Sequence, residues 1–460
     1  MLQHCFPPNL GQFLNDFPET LDETYERILK DIKKAQKDDA RRLLHCLAAA
    51  VRPLRVEEIA ELLAFDCPAS SSGGVHKLEN WQWEDHEEAI LSTCSGLIAV
   101  GRSSDSRVIR FSHFSVKEYL TSPRLAQSRC VDVSRFHIDL EAAHTIMAQA
   151  CLATLLLLDE HDGKSDAKRS PLIEYAAQYW VEHARFENVS SCVRDRMDNL
   201  FDSSKPHFAA WIQVHDIDEF WPYFSPPQCG VGSPLYYASF CGFYDLAERL
   251  ITKHPEQVNA SGGLILAPLT AALYKRHFRV ANLLREHGAI VDIRGQAGWS
   301  PLHMASSQGY TDMIRWLLDH GADVNARTDS SFLYTPLRLA VAHMQLEATQ
   351  ALLERNADAN LQDDCGWTPL YTVLCRSWKE DVVSVDIVRS LLEHGADPNI
   401  RASDDSGLSP LHLAAKKRFL EVARLLLSYG AKVDEKDEEG KTPFQVASKR
   451  GYADESRMYC

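Results

Sequence analysis

The chain is short of positive charge, of paired cysteines and of long apolar runs. Of its 460 residues, 49 are Lys or Arg against 64 Asp or Glu, a formal net charge of −15. That deficit disfavours a general role on nucleic acid or anionic membrane, since both need cations. Twelve cysteines lie scattered, with no Cys-x-x-Cys pair and no metal-ligand spacing among them. Such usage reads as reduced thiols in a cytosol-like compartment. No His-Glu-x-x-His exists to seat a catalytic zinc, and no Gly-x-Ser-x-Gly elbow exists to present a nucleophilic serine. The longest apolar run, around Cys151 to Leu158, falls far short of the roughly 20 residues that span a bilayer, and reads as a buried helix. The start, Met1-Leu-Gln-His-Cys-Phe-Pro-Pro, lacks the charged and then apolar regions of a secretory signal. A cytoplasmic location is the expectation, and the sequons at Asn188 and Asn259 read as chance.

What is present is repetition. Ser/Thr/Ala-Pro followed by an apolar residue recurs at Pro234, Pro268, Pro301, Pro336, Pro369, Pro410 and Pro443, in steps of 34, 33, 35, 33, 41 and 33. A period near 33 with a Thr-Pro-Leu-His opening resembles the ankyrin repeat, a β-turn and two helices per repeat. The clearest copy runs from Gly298 to Arg327. Ser300 should cap its first helix with Pro301 in the first turn, where a missing N–H is harmless. Leu302 and Ala305 should face the core, and Gly309 should end the helix at positive φ. Met313, Ile314, Leu317 and Leu318 form the expected stripe of the second helix, which Gly321 stops.

The interval from each proline to the second stop tests this frame. Pro268 to Gly288, Pro301 to Gly321, Pro336 to Asn356 and Pro410 to Gly430 are all 20 residues. Pro369 to Gly395 is 26, an insertion of six near Trp378 to Val385. Lengthening a surface connection is cheap, since doubling a loop costs only about 0.6 kcal/mol. Arg276, Met344 and Arg418 replace glycine at the first-helix stop, which should cost on the order of 1 kcal/mol each. The seventh repeat ends at Cys460, part-way through its second helix. It is expected to be a short polar cap, through Lys449, Arg450, Asp454 and Glu455, or a truncation.

Two motifs imitate chemistry. His303 and His412 suggest metal or catalysis, yet in this frame such a histidine bonds the neighbouring turn, where other repeats carry Tyr236, Arg338 and Tyr371. Gly440-Lys441-Thr442 imitates a phosphate-binding loop, but the glycine needed five residues earlier is Glu435, and Glu435 to Glu439 hold four carboxylates. A loop tip entering a helix explains it better.

The first half reads as helices and one hairpin. Leu21, Tyr25, Ile28 and Leu29 form a stripe after a possible Thr20/Glu23 capping box, with Glu26–Lys30 as a solvated pair. Helices follow over 41–51, 56–64 and 88–96, then strands at Leu97-Ile-Ala-Val-Gly and Val108-Ile-Arg-Phe around Ser103-Ser-Asp-Ser. That is a winged-helix plan. A DNA-reading role is disfavoured, because Glu57 to Asp66 and Trp81 to Val100 each hold four acids and no base. Asp159 to Arg169 reads as a solvated polar loop rather than a cation site.

Three phrases carry a family resemblance: Phe17-Pro-Glu-Thr-Leu-Asp-Glu-Thr-Tyr-Glu-Arg-Ile-Leu, Arg52-Pro-Leu with Glu57-Glu-Ile-Ala, and Phe111-Ser-His-Phe-Ser-Val-Lys-Glu-Tyr-Leu. Together they resemble the region after the NTPase in fungal NACHT–ankyrin proteins, a winged-helix segment also described beside GPI inositol-deacylases. Tyr175 to Arg185 is similar to the helical connector of those proteins. The resemblance implies a STAND-type signalling protein whose repeats sense or dock a partner. No phosphate-binding loop or NTPase precedes Leu2, so nucleotide switching does not carry over.

The expected architecture is mainly α: a helical/winged-helix domain over 1–125, a helical connector over 126–228, and an ankyrin α-solenoid of about seven repeats over 229–460. The expected function is non-enzymatic protein binding, with no catalytic residue, no cofactor, no metal, no nucleic acid and no membrane span. Arg294, Trp299, Arg327, Phe332, Tyr334, Trp367 and Arg401 are the candidate contacts, since Trp and Arg are enriched at binding hot spots. The alternatives are a winged-helix nucleic-acid regulator and a truncated relative that interferes with full-length NTPases.

Overall fold

The computed structural model describes residues 21–66, 76–77, 86–94, 96–103, 106–158, 170–215, 217, 232–262, 267–329, 333–377, 381–403 and 407–449. The expectations for Thr20, the loop 159–169, Phe332, Trp378 and the cap residues Arg450, Asp454 and Glu455 lie outside them. The chain forms two compact units, Met1–Ser225 and Pro226–Cys460.

In the first unit, α1 (Leu21–Asp31) and α2 (Lys37–Ala49) lead to β1 (Leu54–Arg55) and α3 (Val56–Ala64). Tyr25 and Leu29 are the buried stripe of α1, with Ile32 buried just past its end; Ile28 is half-buried and Leu21 is 60% exposed, against expectation. The Glu26–Lys30 pair is present at 3.3 Å. A short pair, β2 (Phe65–Asp66) with β3 (His76–Lys77), was not legible in the sequence. After α4 (His86–Thr93) comes the hairpin of β4 (Ile98–Ser103) and β5 (Ser106–Phe111), antiparallel with Ile98 opposite Phe111 and Val100 opposite Ile109. β1 pairs with the other edge of β5, Leu54 opposite Ile109, which closes a three-stranded sheet of order β1-β5-β4.

Two of the acids counted against DNA binding are interior. Glu58 is fully buried, takes two bonds from the Arg52 guanidinium at 2.9 and 2.6 Å, and accepts the Arg55 backbone N–H at 2.7 Å. Glu61 accepts the Leu172 N–H at 3.0 Å and the Ser170 hydroxyl. A buried carboxylate persists only when paired and hydrogen-bonded. Glu58 therefore fastens α3 to the connection before it, and Glu61 fastens it to the entrance of a later helix at Ser170 and Leu172.

Short helices α5 (Phe114–Leu120), α6 (Pro123–Ala126) and α7 (Val131–Ser134) precede α8 (Leu140–Leu155), α9 (Ile173–Ala184), α10 (Val189–Cys192), α11 (Arg194–Leu200) and α12 (His207–Val214). The apolar run is buried where it lies in α8, with Cys151, Leu152 and Leu155 at 0% exposure, but the helix ends at Leu155 and Leu157 is 65% exposed, against expectation. Trp180 and Trp211 meet edge-on at 5.3 Å beside Phe201, and Trp211 Nε1 donates to the Ala177 carbonyl at 3.0 Å. Among the described residues no helix is long and apolar enough to cross a membrane.

The second unit consists of helix pairs: α13 (Pro234–Cys241) with α14 (Tyr244–Lys253), α15 (Pro268–Tyr274) with α16 (Phe278–Glu286), α17 (Pro301–Gln308) with α18 (Thr311–Asp319), α19 (Pro336–Ala342) with α20 (Leu346–Leu353), α21 (Pro369–Arg376) with α22 (Val382–Glu393), α23 (Pro410–Lys417) with α24 (Leu420–Ser428), then α25 (Pro443–Lys449). Each of the seven prolines opens a first helix. First helices pack on first helices and second on second along most of the row. Glycine φ values of 75° at Gly309 and 90° at Gly321 end the two helices of the third repeat. Arg276, Met344 and Arg418 adopt φ of 62°, 58° and 62° at the other first stops, and Asn356 adopts 62° at a second stop. Leu302, Ala305, Ile314 and Leu317 are at 0% exposure. Leu318, expected in the stripe, is only half-buried, and Trp316 is buried in its stead. Its ring stacks on His320 at 3.9 Å and its Nε1 donates to Asn282 Oδ1 at 2.9 Å, one repeat back.

The insertion of the fifth repeat also departs from a lengthened surface connection. Part of it extends the second helix, which starts at Val382 under an Asp381 cap and runs 12 residues against 8 to 10 in its neighbours.

Candidate functional site

The loops leading from each second helix to the next first helix carry the candidate contacts. A row of Asn and Asp side chains sets their spacing. Asn259 Oδ1 accepts the Ile290 N–H at 2.8 Å, and Asp292 Oδ2 accepts that of Asp323 at 2.9 Å. Asn325 accepts Asp358 at 2.9 Å, Asn360 accepts Asp397 at 2.7 Å, and Asn399 accepts Lys432 at 2.9 Å. Three of the asparagines also donate from Nδ2 to a carbonyl of the same neighbouring loop: Asn259 to Gly288, Asn360 to Gly395 and Asn399 to Gly430. Six successive loops are thus joined by five ties. Sequence reasoning missed this row, although Gly-Ala-Asp-Val-Asn at 321–325 and Gly-Ala-Asp-Pro-Asn at 395–399 display it. Asn259 of a sequon has its side chain committed here.

In the third, fourth and sixth repeats the residue two places after the proline forms a second set of ties. His303 Nδ1 accepts the Ser300 N–H at 3.2 Å, so its proton sits on Nε2, which donates to the Tyr334 carbonyl at 3.0 Å. His412 repeats the arrangement on Ser409 and the Lys441 carbonyl, the latter at 3.0 Å. Burial pushes His303 down to about 4 and also lowers His412. Arg338 takes the position in the fourth repeat and reaches Asp363 at 2.7 Å. Gln445 takes it in the seventh, where its Oε1 accepts the Thr442 N–H at 3.0 Å. These histidines hold turns, as the repeat frame implied.

Thr270 is the exception. It is fully buried, its hydroxyl has no hydrogen-bond partner among the described residues, and it is too short to reach the next loop. Ala267 before it offers no cap, whereas Ser233, Thr335, Thr368 and Ser409 do. Helix contact across the junction of the second and third repeats is correspondingly sparse.

The candidate residues fall into three groups. Arg294 donates to the Arg327 carbonyl at 2.8 Å and pairs with Asp329 at 3.3 Å; Arg401 donates to the Lys436 carbonyl at 2.7 Å and pairs with Glu435 at 3.5 Å. Both brace adjacent loops while remaining partly exposed. Trp299, Tyr334 and Trp367 are half-buried at the helix entrances. Trp299 lies 6.1 Å from His303, Trp367 lies 5.4 Å from Tyr371, and the Arg338 guanidinium sits 4.0 Å over Tyr334. Arg327 is half-buried, and among the described residues no hydrogen bond or ion pair engages its guanidinium. Phe332 lies outside the described residues.

Two features resemble sites of other kinds. Asp363, Asp364 and Cys365 place ligand atoms within 4.8 Å of one another. Yet Asp363 Oδ1 already accepts the Cys365 and Trp367 N–H groups at 3.0 and 2.8 Å, and the same carboxylate pairs with Arg338, so the cluster is a turn. A cleft of about 440 Å³ separates the second and third repeats between Tyr274, Lys275, Tyr310 and Thr311. Arg276 and Asp312 pair with each other within it, and its described lining holds no histidine, cysteine or second carboxylate beside them. Gly440 has φ 75° and the Asp437 N–H bonds the Lys441 carbonyl at 2.9 Å, so Gly-Lys-Thr is a loop tip entering α25.

Comparison with known proteins agrees with this geometry. Models of ankyrin repeats match residues 235–328, 337–437, 384–456 and 305–353. Residues 25–132 match the winged helix domain of GPI inositol-deacylase. Ankyrin repeats and a winged-helix domain of that type are therefore both present. Azaphilone pigments biosynthesis cluster protein L of Monascus ruber is 33% identical over 301 residues, 61% of this chain and 62% of that protein. Ankyrin repeat protein nuc-2 of Neurospora crassa is 30% identical over 194 residues, 42% of this chain and 17% of that protein. The chain thus spans less than two thirds of either relative. The ankyrin repeat domain of Bcl-3 aligns at 30% identity with a TM-score of 0.44, over 50% of this chain and all of that domain.

Proposed function

We propose that the chain is a non-enzymatic docking protein whose ankyrin row binds a protein partner through its loop tips and first-helix entrances. One observation carries the reading: the loops are fastened to one another by side-chain ties, which fixes the spacing of the tips, and Arg327 on them is uncommitted among the described residues. A pre-set surface lowers the ordering cost of association. Ankyrin repeats are generally protein-interaction modules, which supports the same conclusion. Trp299, Tyr334 and Trp367 supply the aromatic element, Arg294 and Arg401 brace it, and Phe332 is retained as a contact.

The finer context is that of a STAND-type signalling protein, in which this part senses or docks while an NTPase elsewhere switches. The phrases shared with NACHT–ankyrin proteins support it, as does the winged-helix match beside the repeats. The reading places the protein in the cytoplasm and the domain boundaries near 125 and 228. Interference with full-length NTPases remains a variant of the same docking function. Nucleic-acid binding by the winged helix is the second reading. Arg52 is spent on Glu58, and Arg42 donates to the Leu63 and Phe65 carbonyls, which leaves fewer cations for phosphate.

Capture from a fungal lysate by the full chain tests the first reading, with Arg327→Ala and Trp299→Ala/Trp367→Ala as comparisons of matched melting temperature. Loss of a specific bound protein in the variants supports it. Equal capture by all three, or retention on DNA at physiological salt, counts against it. ATP or ester hydrolysis above background in clean protein would overturn the non-enzymatic assignment.

A further inference from the structure

A buried chain of hydrogen bonds in the first unit has only one consistent set of protons. The Val51 backbone N–H can only donate, and it donates to the Tyr175 hydroxyl oxygen at 3.2 Å. Tyr175 is fully buried, so its own O–H must find an acceptor, and His183 Nε2 lies at 2.9 Å. His183, also fully buried, is thereby the tautomer protonated on Nδ1. That N–H faces His144 Nδ1 at 3.0 Å, which must be the bare acceptor. His144 keeps its proton on Nε2. Its half-buried ring stacks on Phe186 at 4.1 Å and 9°. The bonds all run one way, from the connection after α2, through α9, to a ring on α8.

A proton added to His144 cannot be accommodated in this arrangement. It would set two N–H groups against each other across the gap between the rings. His183 can exchange tautomers, but then its Nε2–H takes the place of the tyrosine proton and the buried O–H loses its acceptor. Alternatively His144 swings away from Phe186 and abandons the His183 N–H. Every route leaves one buried donor without a partner.

We propose that His144, His183 and Tyr175 form an acid-sensitive latch, closed when both rings are neutral, that holds Val51 and the Arg52–Glu58 pair to the α8–α9 helices and opens when His144 is protonated. Arg52 lies 4.9 Å over the Tyr175 ring, so the latch and the ion pair share a side chain. The groups facing the latch are few. Burial, then Lys117 of α5, lower His144; burial, then His144, push His183 down to about 3. Burial raises Tyr175, and its neighbours are Cys151 of α8, Cys46 of α2 and Arg52. On α2, His45 is bonded to the Arg41 carbonyl at 2.7 Å.

The test is hydrogen exchange by mass spectrometry on the full chain at pH 7.5 and 5.5, corrected for intrinsic rates, reading residues 46–54, 140–155 and 173–186. His144→Asn keeps an acceptor for His183 without a titrating group. A histidine that binds its proton only in the open state raises the opening constant about tenfold over that pH interval. The wild-type to H144N ratio of opening constants should therefore rise about tenfold on acidification. A ratio that changes by less than about twofold overturns the latch. Tyr175→Phe frees His183 to take either tautomer, so the closed state can accept a proton on His144 and the rise in opening between pH 7.5 and 5.5 should be smaller than in wild type. Should H144N fail to fold, wild type alone decides, because unchanged protection of 46–54 at pH 5.5 excludes the proposal.

Discussion

Asn360 grips Asp397 from one side and its neighbour from the other: Oδ1 accepts the Asp397 N–H at 2.7 Å while Nδ2 donates to the Gly395 carbonyl at 2.9 Å. Asn360→Ala removes both bonds between consecutive loops and should cost about 1–2 kcal/mol. Asn360→Asp retains the acceptor alone, the arrangement Asp292 already uses, and should cost less. Urea midpoints of the full chain rank the three proteins, and equal midpoints would show that the row contributes no stability.

Leu317 and Leu318 look alike in sequence but sit differently. Leu317 is fully buried and Leu318 only half. Leu317→Ala should cost about 2–5 kcal/mol as a core truncation, and Leu318→Ala clearly less. Thermal melts of both variants check the order, which would be reversed if the helix frame were shifted by one residue.

The weak junction after the second repeat can be repaired. Ala267→Ser supplies the missing cap and should add about 1 kcal/mol. Thr270→His supplies a ring long enough to seek the Trp299 carbonyl, as His303 reaches that of Tyr334, and should add about 0.5–1.5 kcal/mol. Protection of α15 and α16 in hydrogen exchange should rise in each variant. No gain in either would mean that the junction is not the least stable part of the row.

His303 makes the third repeat sensitive to acid. Its folded value, pushed down to about 4 by burial, lies below the ordinary histidine value, so the unfolded chain binds the extra proton. The contribution is intact above about pH 6.5 and is lost as pH falls towards 4. His303→Gln preserves the capping geometry without titrating, as Gln445 does in the seventh repeat. The variant should lose less stability than wild type between pH 7 and 5 in urea titrations, and a parallel pair of curves would remove His303 from the acid response.

Most of the repeat frame was legible because each repeat must satisfy the same local demands. A proline opens the helix, a serine or threonine caps it, and a left-handed residue ends it; Ser300, Pro301, Gly309 and Gly321 announce these roles by type alone. Arg276, Met344 and Arg418 showed that position rather than identity carries the left-handed turn. The Asn row was less visible, since its partners are backbone groups a full repeat away. Trp316 escaped because its stacking on His320 and its bond to Asn282 add a side to the helix that apolar spacing does not mark. Tyr175, His183 and His144 were beyond sequence reasoning altogether, for nothing in their spacing says that two rings and a hydroxyl converge. Arg327 and the braced Arg294 looked equivalent on paper and became distinct only when the Asp329 pair was seen.

Part of the extra length of the fifth repeat lies in its second helix, at the start near Val382 that is remote from the tied loops. Length added there leaves the cadence of the tips undisturbed, because the ties from Asn360 to Asp397 and from Asn399 to Lys432 close on either side of it.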